Sequence, residues 1–497
     1  MTGIHWLLCC VTFCNVVGLG SSTFKFASYY NNHMVLQQGA GGAIVWGTSS
    51  HLGDTVQLFL NGHKVGEDIV TQNAKGVITW ISKVVVTGDN YGPFTLAAKS
   101  SEGTITLHDV MFGDVWICSG QSNMEFTMSG VVNASAEYAE ASSYRNVRLF
   151  KATHAQSNAE LDDFNVTPAL HWSIPARANL GKFSAVCWLF GKQLSSQFKY
   201  PIGLIESNWG GTKIEWWSST LALSKCPHNG KRAIQNSDLW NAMMSPLTRN
   251  TIYGAIWYQG ESNAGAYDLY RCQFPAMIND WRQRFSSASL HTTSAEFPFG
   301  FVQLAPYRPG QEKVIPIPSL RWAQTAGYGK VPNAKMPNTF MSVALDLPDF
   351  SSPYGSIHPR FKHDVASRLA LSALGVAYHQ SGLEFQGPFP SDYRLTGHSL
   401  NIEYDQGRVP IMVNANVSNF EVCCSAAHCN QNTGNWKPAP MISHNVASVT
   451  LNTSQCGHVT VAAVRYAWRE SPCVFKQCAV YGRDTDLPAP PFYHSFL

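Results

Sequence analysis

A chain of 497 residues is too long for one ordinary hydrophobic core, so about two to four domains are expected. Its 45% hydrophobic and 13% charged content is that of a globular protein and excludes a disordered chain. The net charge of +3 comes without any Lys/Arg-rich run, which removes nucleic acid and anionic membrane surfaces as expected partners.

In chain order, residues 1–22 hold the apolar run Trp6-Leu-Leu-Cys-Cys-Val-Thr-Phe-Cys14 and then Gly18, Gly20, Ser21 and Ser22. This reads as a signal peptide, although its start offers only His5 in place of Lys or Arg, and a buried N-terminal helix is the alternative. No later segment has the ~18 uninterrupted apolar residues of a membrane span. A secreted or lumenal, lysosomal destination follows. Ten of the 13 cysteines lie beyond that segment, six of them in the last hundred residues, which suggests a disulfide-stapled C-terminal module. Metal binding by Cys424/Cys429 and Cys473/Cys478 is the weaker rival, and the pairing itself cannot be read from spacing. Sequons at Asn133, Asn165, Asn416 and Asn452 fit glycosylation in the same compartment.

Residues 23–110 read as a β-rich domain of short runs divided by Gly, Asn and Asp, with Asn61-Gly62 as a hairpin signal. From 111 to 378 strands alternate with helices. Strands are expected at Asp114 to Cys118, Val147 to Lys151, Pro201 to Glu206, Tyr253 to Tyr258, Phe297 to Leu304 and Phe340 to Leu345. Helices are expected at Phe183 to Phe198, Tyr267 to Phe285, Ser319 to Gly327 and Phe361 to Ala377. That alternation implies an α/β, three-layer domain with a parallel sheet and function along the carboxyl ends of its strands. Residues 379–497 return to β character, so β-sandwich-like modules flank the α/β domain on both sides.

Four patches fall at those carboxyl ends. In Gly113-Asp-Val-Trp-Ile-Cys-Ser-Gly120-Gln-Ser122-Asn-Met, an apolar strand stops at Gly120 and turns into helix-compatible residues, making Ser122 a candidate nucleophile, with a turn or cap residue as the alternative reading of the motif alone. Gly210-Gly211 follows another strand and lets backbone N–H groups approach a ligand. Gln259, in Trp257-Tyr-Gln-Gly-Glu-Ser262-Asn-Ala, offers an amide to a developing oxyanion. The same patch holds the rival nucleophile Ser262, one residue short of a Gly-x-Ser-x-Gly elbow, with the order Ser262, Asp346, His358 behind it. His358 lies in a loop before a helix, suited to be the base, with Asp346 or Asp349 to orient it.

Gly120-Gln-Ser122-Asn-Met, Trp209-Gly-Gly-Thr212, Trp257-Tyr-Gln-Gly-Glu-Ser-Asn263 and Ser356-Ile-His358-Pro359, in that order, resemble the Ser-Gly-Asn-His (SGNH) hydrolase superfamily and more closely the sialate O-acetylesterases. The resemblance implies Ser122 as nucleophile, His358 as base, and an oxyanion hole from Ser122 N–H, Gly210 or Gly211, and Gln259, with Ser262 reduced to a turn residue. The superfamily commonly has Asp three positions before its His, and Gly355 stands there, so the third member is Asp346, Asp349 or a backbone carbonyl. The implied activity is removal of O-acetyl groups, 9-O-acetyl expected, from sialic acids or sialoglycoconjugates through an acetyl-serine. No metal or organic cofactor is expected, because ester cleavage needs a nucleophile, proton transfer and an oxyanion site. Arg321 is a candidate clamp for the sialate carboxylate, with a structural ion pair as its alternative, and Trp209, Trp216 and Trp217 are candidates to face a sugar ring or to pack in the core. Other acetylated carbohydrates as substrates, or an inactive glycan-binding protein, are the rival functions.

Overall fold

A computed structural model describes residues 24–226, 236–309, 316–405, 408–425 and 429–496; the signal-peptide expectation lies outside the described residues. Its spine is one strand of 18 residues, Gly103–Gly120. The second half of that strand is a continuous buried run, as a parallel strand covered on both faces must be. The first half pairs antiparallel with Phe94–Ser100 in the N-terminal module. The second half pairs in parallel with Ile202–Asn208 and Gly254–Tyr258. The strand therefore runs without a break through position 110/111, where composition suggested a domain boundary.

Around it the α/β sheet runs in the order Leu170–Ser173, Val147–Lys151, Ile202–Asn208, Gly103–Gly120, Gly254–Tyr258, Phe299–Gln303, Thr339–Val343. All neighbours are parallel except the Leu170–Ser173 edge. Register places Trp116, Leu204 and Phe340 on one face, where the Trp116 ring meets Phe190 of helix Ala185–Gln197 edge-on at 5.0 Å. Cys118, on the same face, is bonded to Cys187. On the other face Trp257 and Phe301 meet Trp281 and Phe274 of helix Tyr267–Ala288 at 5.8 and 5.2 Å. Three layers follow from the two-residue period of the strands.

In the N-terminal module, Thr55–Leu60 and His63–Ile69 form a hairpin whose turn residues Asn61 and Gly62 have φ of 49° and 83°, the geometry that Asn-Gly favours. Two four-stranded antiparallel sheets and a two-stranded ladder make up the described C-terminal module, held by Cys423–Cys429, Cys424–Cys456 and Cys473–Cys478. With Cys226–Cys272, all ten cysteines beyond the N-terminal segment are paired, which corrects the metal alternative for the late ones.

Candidate active site

The central strand ends at Gly120, beside Asn208 of one neighbour and Tyr258 of the other. Gly120 has φ of +136°, and a Cβ there would lie 2.2 Å from the Tyr258 carbonyl oxygen. Only glycine lets the chain leave the sheet this closely. Gln121 is buried; its side-chain oxygen accepts the N–H groups of Gly260 and Ser262 at 3.3 and 3.2 Å, tying this turn to the next one. Ser122 then opens the short helix Ser122–Glu125 and stays partly exposed.

His358 arrives from the loop after the last sheet strand, just before helix Lys362–Val376. Its Nε2 lies 2.9 Å from Ser122 Oγ, and its Nδ1 lies 2.8 Å from the Tyr354 carbonyl oxygen. A carbonyl only accepts, so Nδ1 carries the proton and Nε2 presents its lone pair to the serine hydroxyl. That is the tautomer a general base needs.

Asp346 does not take part in this pair, and the expectation that it orients His358 is corrected. Its buried carboxylate receives Arg368 through two bonds at 2.6 and 2.9 Å and the Tyr481 hydroxyl at 3.1 Å. Asp349 is likewise committed, to Arg360 through Nε at 2.7 Å, Nη2 at 2.9 Å and the backbone N–H at 3.1 Å. Gly355 adopts φ of +83° with open space around it. The Tyr354 carbonyl is thus the group that holds the imidazole.

Gly210 lies against the nucleophile: a Cβ built on it would be 3.3 Å from Ser122 Cβ. Its N–H donates to Glu125 Oε2 at 2.6 Å, while Glu125 Oε1 is 3.1 Å from His154 Nε2. Gly211 is exposed, with φ of +74° and nothing near a notional Cβ. Gln259 is corrected as an oxyanion donor in this conformation. It is fully buried, and its amide nitrogen donates to the Thr212 carbonyl at 3.2 Å and to Asn263 Oδ1 at 2.7 Å. Ser262 supports the Gln121 side chain with its backbone N–H, and the imidazole bonds to Ser122 instead.

Arg321 is corrected as a substrate clamp. It is wholly buried and donates to the carbonyls of Leu304, Arg469 and Glu470 at 2.7 to 2.9 Å. Of the tryptophans, Trp217 is core, donating to Thr212 Oγ1, whereas Trp209 is half-buried and stacks flat on His154 at 4.3 Å. Asn133, Asn165 and Asn416 are exposed; Asn452 is half-buried at a strand end.

Three residues beside the pair went unassigned from sequence. Asn123 donates to Glu261 Oε1 at 2.6 Å and to the Ile357 carbonyl at 2.9 Å, and it accepts from Lys362 Nζ at 2.6 Å. Lys362 was detectable in principle: an ammonium on the first turn of a helix opposes the helix dipole and calls for a compensating partner.

Comparison with known proteins identifies the family. A family model for "carbohydrate esterase, sialic acid-specific acetylesterase" matches residues 112–349, and one for the "sialate O-acetylesterase C-terminal domain" matches residues 391–496. The sialate O-acetylesterase of Mus musculus is 43% identical over 518 residues, covering 94% of this chain and 94% of that protein. That of Homo sapiens is 43% identical over 494 residues, covering 94% and 92%. The crystal structure of a carbohydrate acetylesterase from Xanthomonas citri superposes with a TM-score of 0.78 at 28% identity, covering 95% of this chain and 100% of that one.

Proposed function

This chain belongs to the sialate O-acetylesterase family, a family of carboxylic ester hydrolases, and from that premise we propose how its own residues remove acetyl groups from sialic acids. The observation that carries the reading is the contact between Ser122 Oγ and the unprotonated Nε2 of His358 at 2.9 Å. Ser122 Oγ attacks the acetyl carbonyl as its proton passes to Nε2. The tetrahedral oxyanion collapses, the C–O bond to the sugar breaks, and the leaving alkoxide takes the proton back from His358. Water then attacks the acetyl-serine with His358 again as base, releasing acetate and free Ser122.

For the oxyanion we assign Ser122 N–H, since the first N–H of a helix has no carbonyl of its own helix to bond, together with the Gly210-Gly211 turn. Gly210 serves once Glu125 yields its N–H and keeps only His154. Gln259 holds the turn beneath. The Tyr354 carbonyl, a neutral acceptor, fixes the imidazole tautomer where a triad would use a carboxylate. On this reading we assign the α/β layer to the SGNH hydrolases. Acetyl groups at the 9-position, cleavage of a signal peptide near residue 22, glycosylation at the four sequons, and export or lysosomal delivery complete the reading. The five disulfides fit an oxidising compartment.

Hydrolysis of 9-O-acetylated sialic acid by the parent, Ser122→Ala and Ser262→Ala proteins tests it, alongside fluorophosphonate labelling. Ser122→Ala is expected to lose on the order of 10³-fold or more in kcat and all labelling, with Ser262→Ala retaining turnover. Loss confined to Ser262→Ala would overturn the assignment. Because the Xanthomonas citri relative is a carbohydrate acetylesterase, acetylated xylose is the second substrate on which to compare kcat/KM.

A further inference from the structure

The imidazole of His358 rests on a neutral carbonyl, so the positive charge it gains during acylation has no carboxylate in contact with it. Ionisable groups lie around it on every side. Its own loop brings Tyr354 and the Asp349–Arg360 pair, the short helix brings Glu125 with His154, and Arg308 sits over Tyr307, whose carbonyl takes Ser356. Tyr258 and Glu261 come from the neighbouring strand end and Lys362 from the following helix. Asp349 is neutralised by Arg360, and Glu125 is spread over His154 and Gly210. Glu261 is different.

The Glu261 carboxylate takes its own backbone N–H and, at Oε1, the Asn123 amide, and Oε2 is shut off from solvent without a hydrogen-bond partner among the described residues. Across the Asn123 amide, Lys362 Nζ stands over the Phe126 and Tyr258 rings at 4.9 and 5.2 Å. Asn123, the residue after the nucleophile, therefore links a buried carboxylate, a buried ammonium and the Ile357 carbonyl next to His358.

We propose that Glu261 is a positioning residue for the esterase reaction: through Asn123 it sets the nucleophile against His358, and its buried charge stabilises the imidazolium that the Tyr354 carbonyl cannot. Burial holds the Glu261 carboxyl above its ordinary range, opposed by its own backbone N–H, the Asn123 bond, Lys362 and His358. Burial brings Lys362 down to about 7, opposed by Glu261 and Asp349. His358 thus weighs on Glu261, whereas the charges that weigh on Lys362 are Glu261 and Asp349. A buried carboxylate acts on a nearby imidazole through space, without touching it.

This inference rests on the Ser122–His358 reading, and Ser122→Ala, run in parallel, tests that reading separately. The experiment is the pH profile of kcat/KM, with kcat and KM resolved, for Glu261→Gln, Glu261→Asp and the double variant Glu261→Gln/Lys362→Met. Removing a negative charge lowers the imidazole pKa, so the acid limb moves to lower pH. For Glu261→Gln we expect kcat to fall about 10-fold with KM within about twofold, and the limb to move down by about half a pH unit or more. Glu261→Asp, which keeps the charge, is expected to hold the limb near its parental position. The double variant leaves no lone buried charge and is the one on which the claim stands. A persistent low limb and low kcat there support it; recovery of both to parental values, or an unmoved limb in either Gln variant, overturns it.

Discussion

Gly120 shows how strictly one position shapes the turn that carries Ser122. A methyl group there meets the Tyr258 carbonyl oxygen at 2.2 Å and its nitrogen at 2.9 Å, both backbone atoms of the adjoining sheet strand that cannot turn aside. The left-handed backbone adds strain of its own. Gly120→Ala is expected to destabilise the fold by about 3 kcal/mol or more and to displace Ser122, so that the denaturation midpoint and fluorophosphonate labelling fall together. Labelling at the parental rate in a fully stable variant would contradict this. Ser122 and His358 were legible in the sequence because each depends on local punctuation: a glycine ending an apolar strand, and a histidine before a helix. Asp346 and Arg321 were not. What each side chain touches is decided far along the chain, Asp346 by Arg368 and Tyr481, Arg321 by Arg469 and Glu470. Spacing in sequence carries no trace of such contacts.

At the scale of elements, strands and helices of the α/β layer were readable to within a few residues, since buried parallel strands are apolar throughout and amphipathic helices keep their period. The continuation of the central strand through a change of composition was hidden, because its two halves alternate differently. Between helices, Glu137 of Ala134–Glu140 acts as a joint. It accepts Trp188 Nε1 at 2.9 Å and Lys192 Nζ at 2.9 Å from one helix and faces His363 Nε2 at 3.1 Å from another. Burial raises its pKa, but the bonds to His363, Lys192 and Trp188 outweigh that and bring the carboxyl down to about 2. A depressed carboxylate contributes stability above its unfolded pKa and loses it as pH falls toward the folded value. Since the His363 side of the cluster is open to solvent, the contribution is discounted to about 1–2 kcal/mol. Glu137→Gln should lower the denaturation free energy by that amount above about pH 5, with the gap narrowing as pH falls toward 3. A gap independent of pH would show that packing, not charge, holds the joint.

The whole molecule is joined around its active layer at two seams. On the N-terminal side the seam is covalent and continuous, the Gly103–Gly120 strand serving both sheets, with Gly113 so close to Pro201 that a Cβ would lie 1.9 Å from its carbonyl oxygen. On the C-terminal side it is polar and buried. Tyr481 reaches back to Asp346, and Arg321, on helix Pro316–Ala323, spends its donors on Leu304 within the α/β layer and on Arg469 and Glu470 in the last module. Burial brings the Arg321 guanidinium down to about 9, opposed by Glu470 and Tyr258. Arg321→Met keeps most of the volume but takes the guanidinium donor from three carbonyls, two of those bonds buried and one partly so, and a loss of about 3–5 kcal/mol is expected. Because the side chain has no exposed surface, KM for acetylated sialic acid should stay within about twofold in the folded enzyme. Urea denaturation read beside Michaelis profiles separates the two roles: a raised KM with the midpoint untouched would return Arg321 to the substrate, and a fallen midpoint with KM unchanged assigns it to the seam.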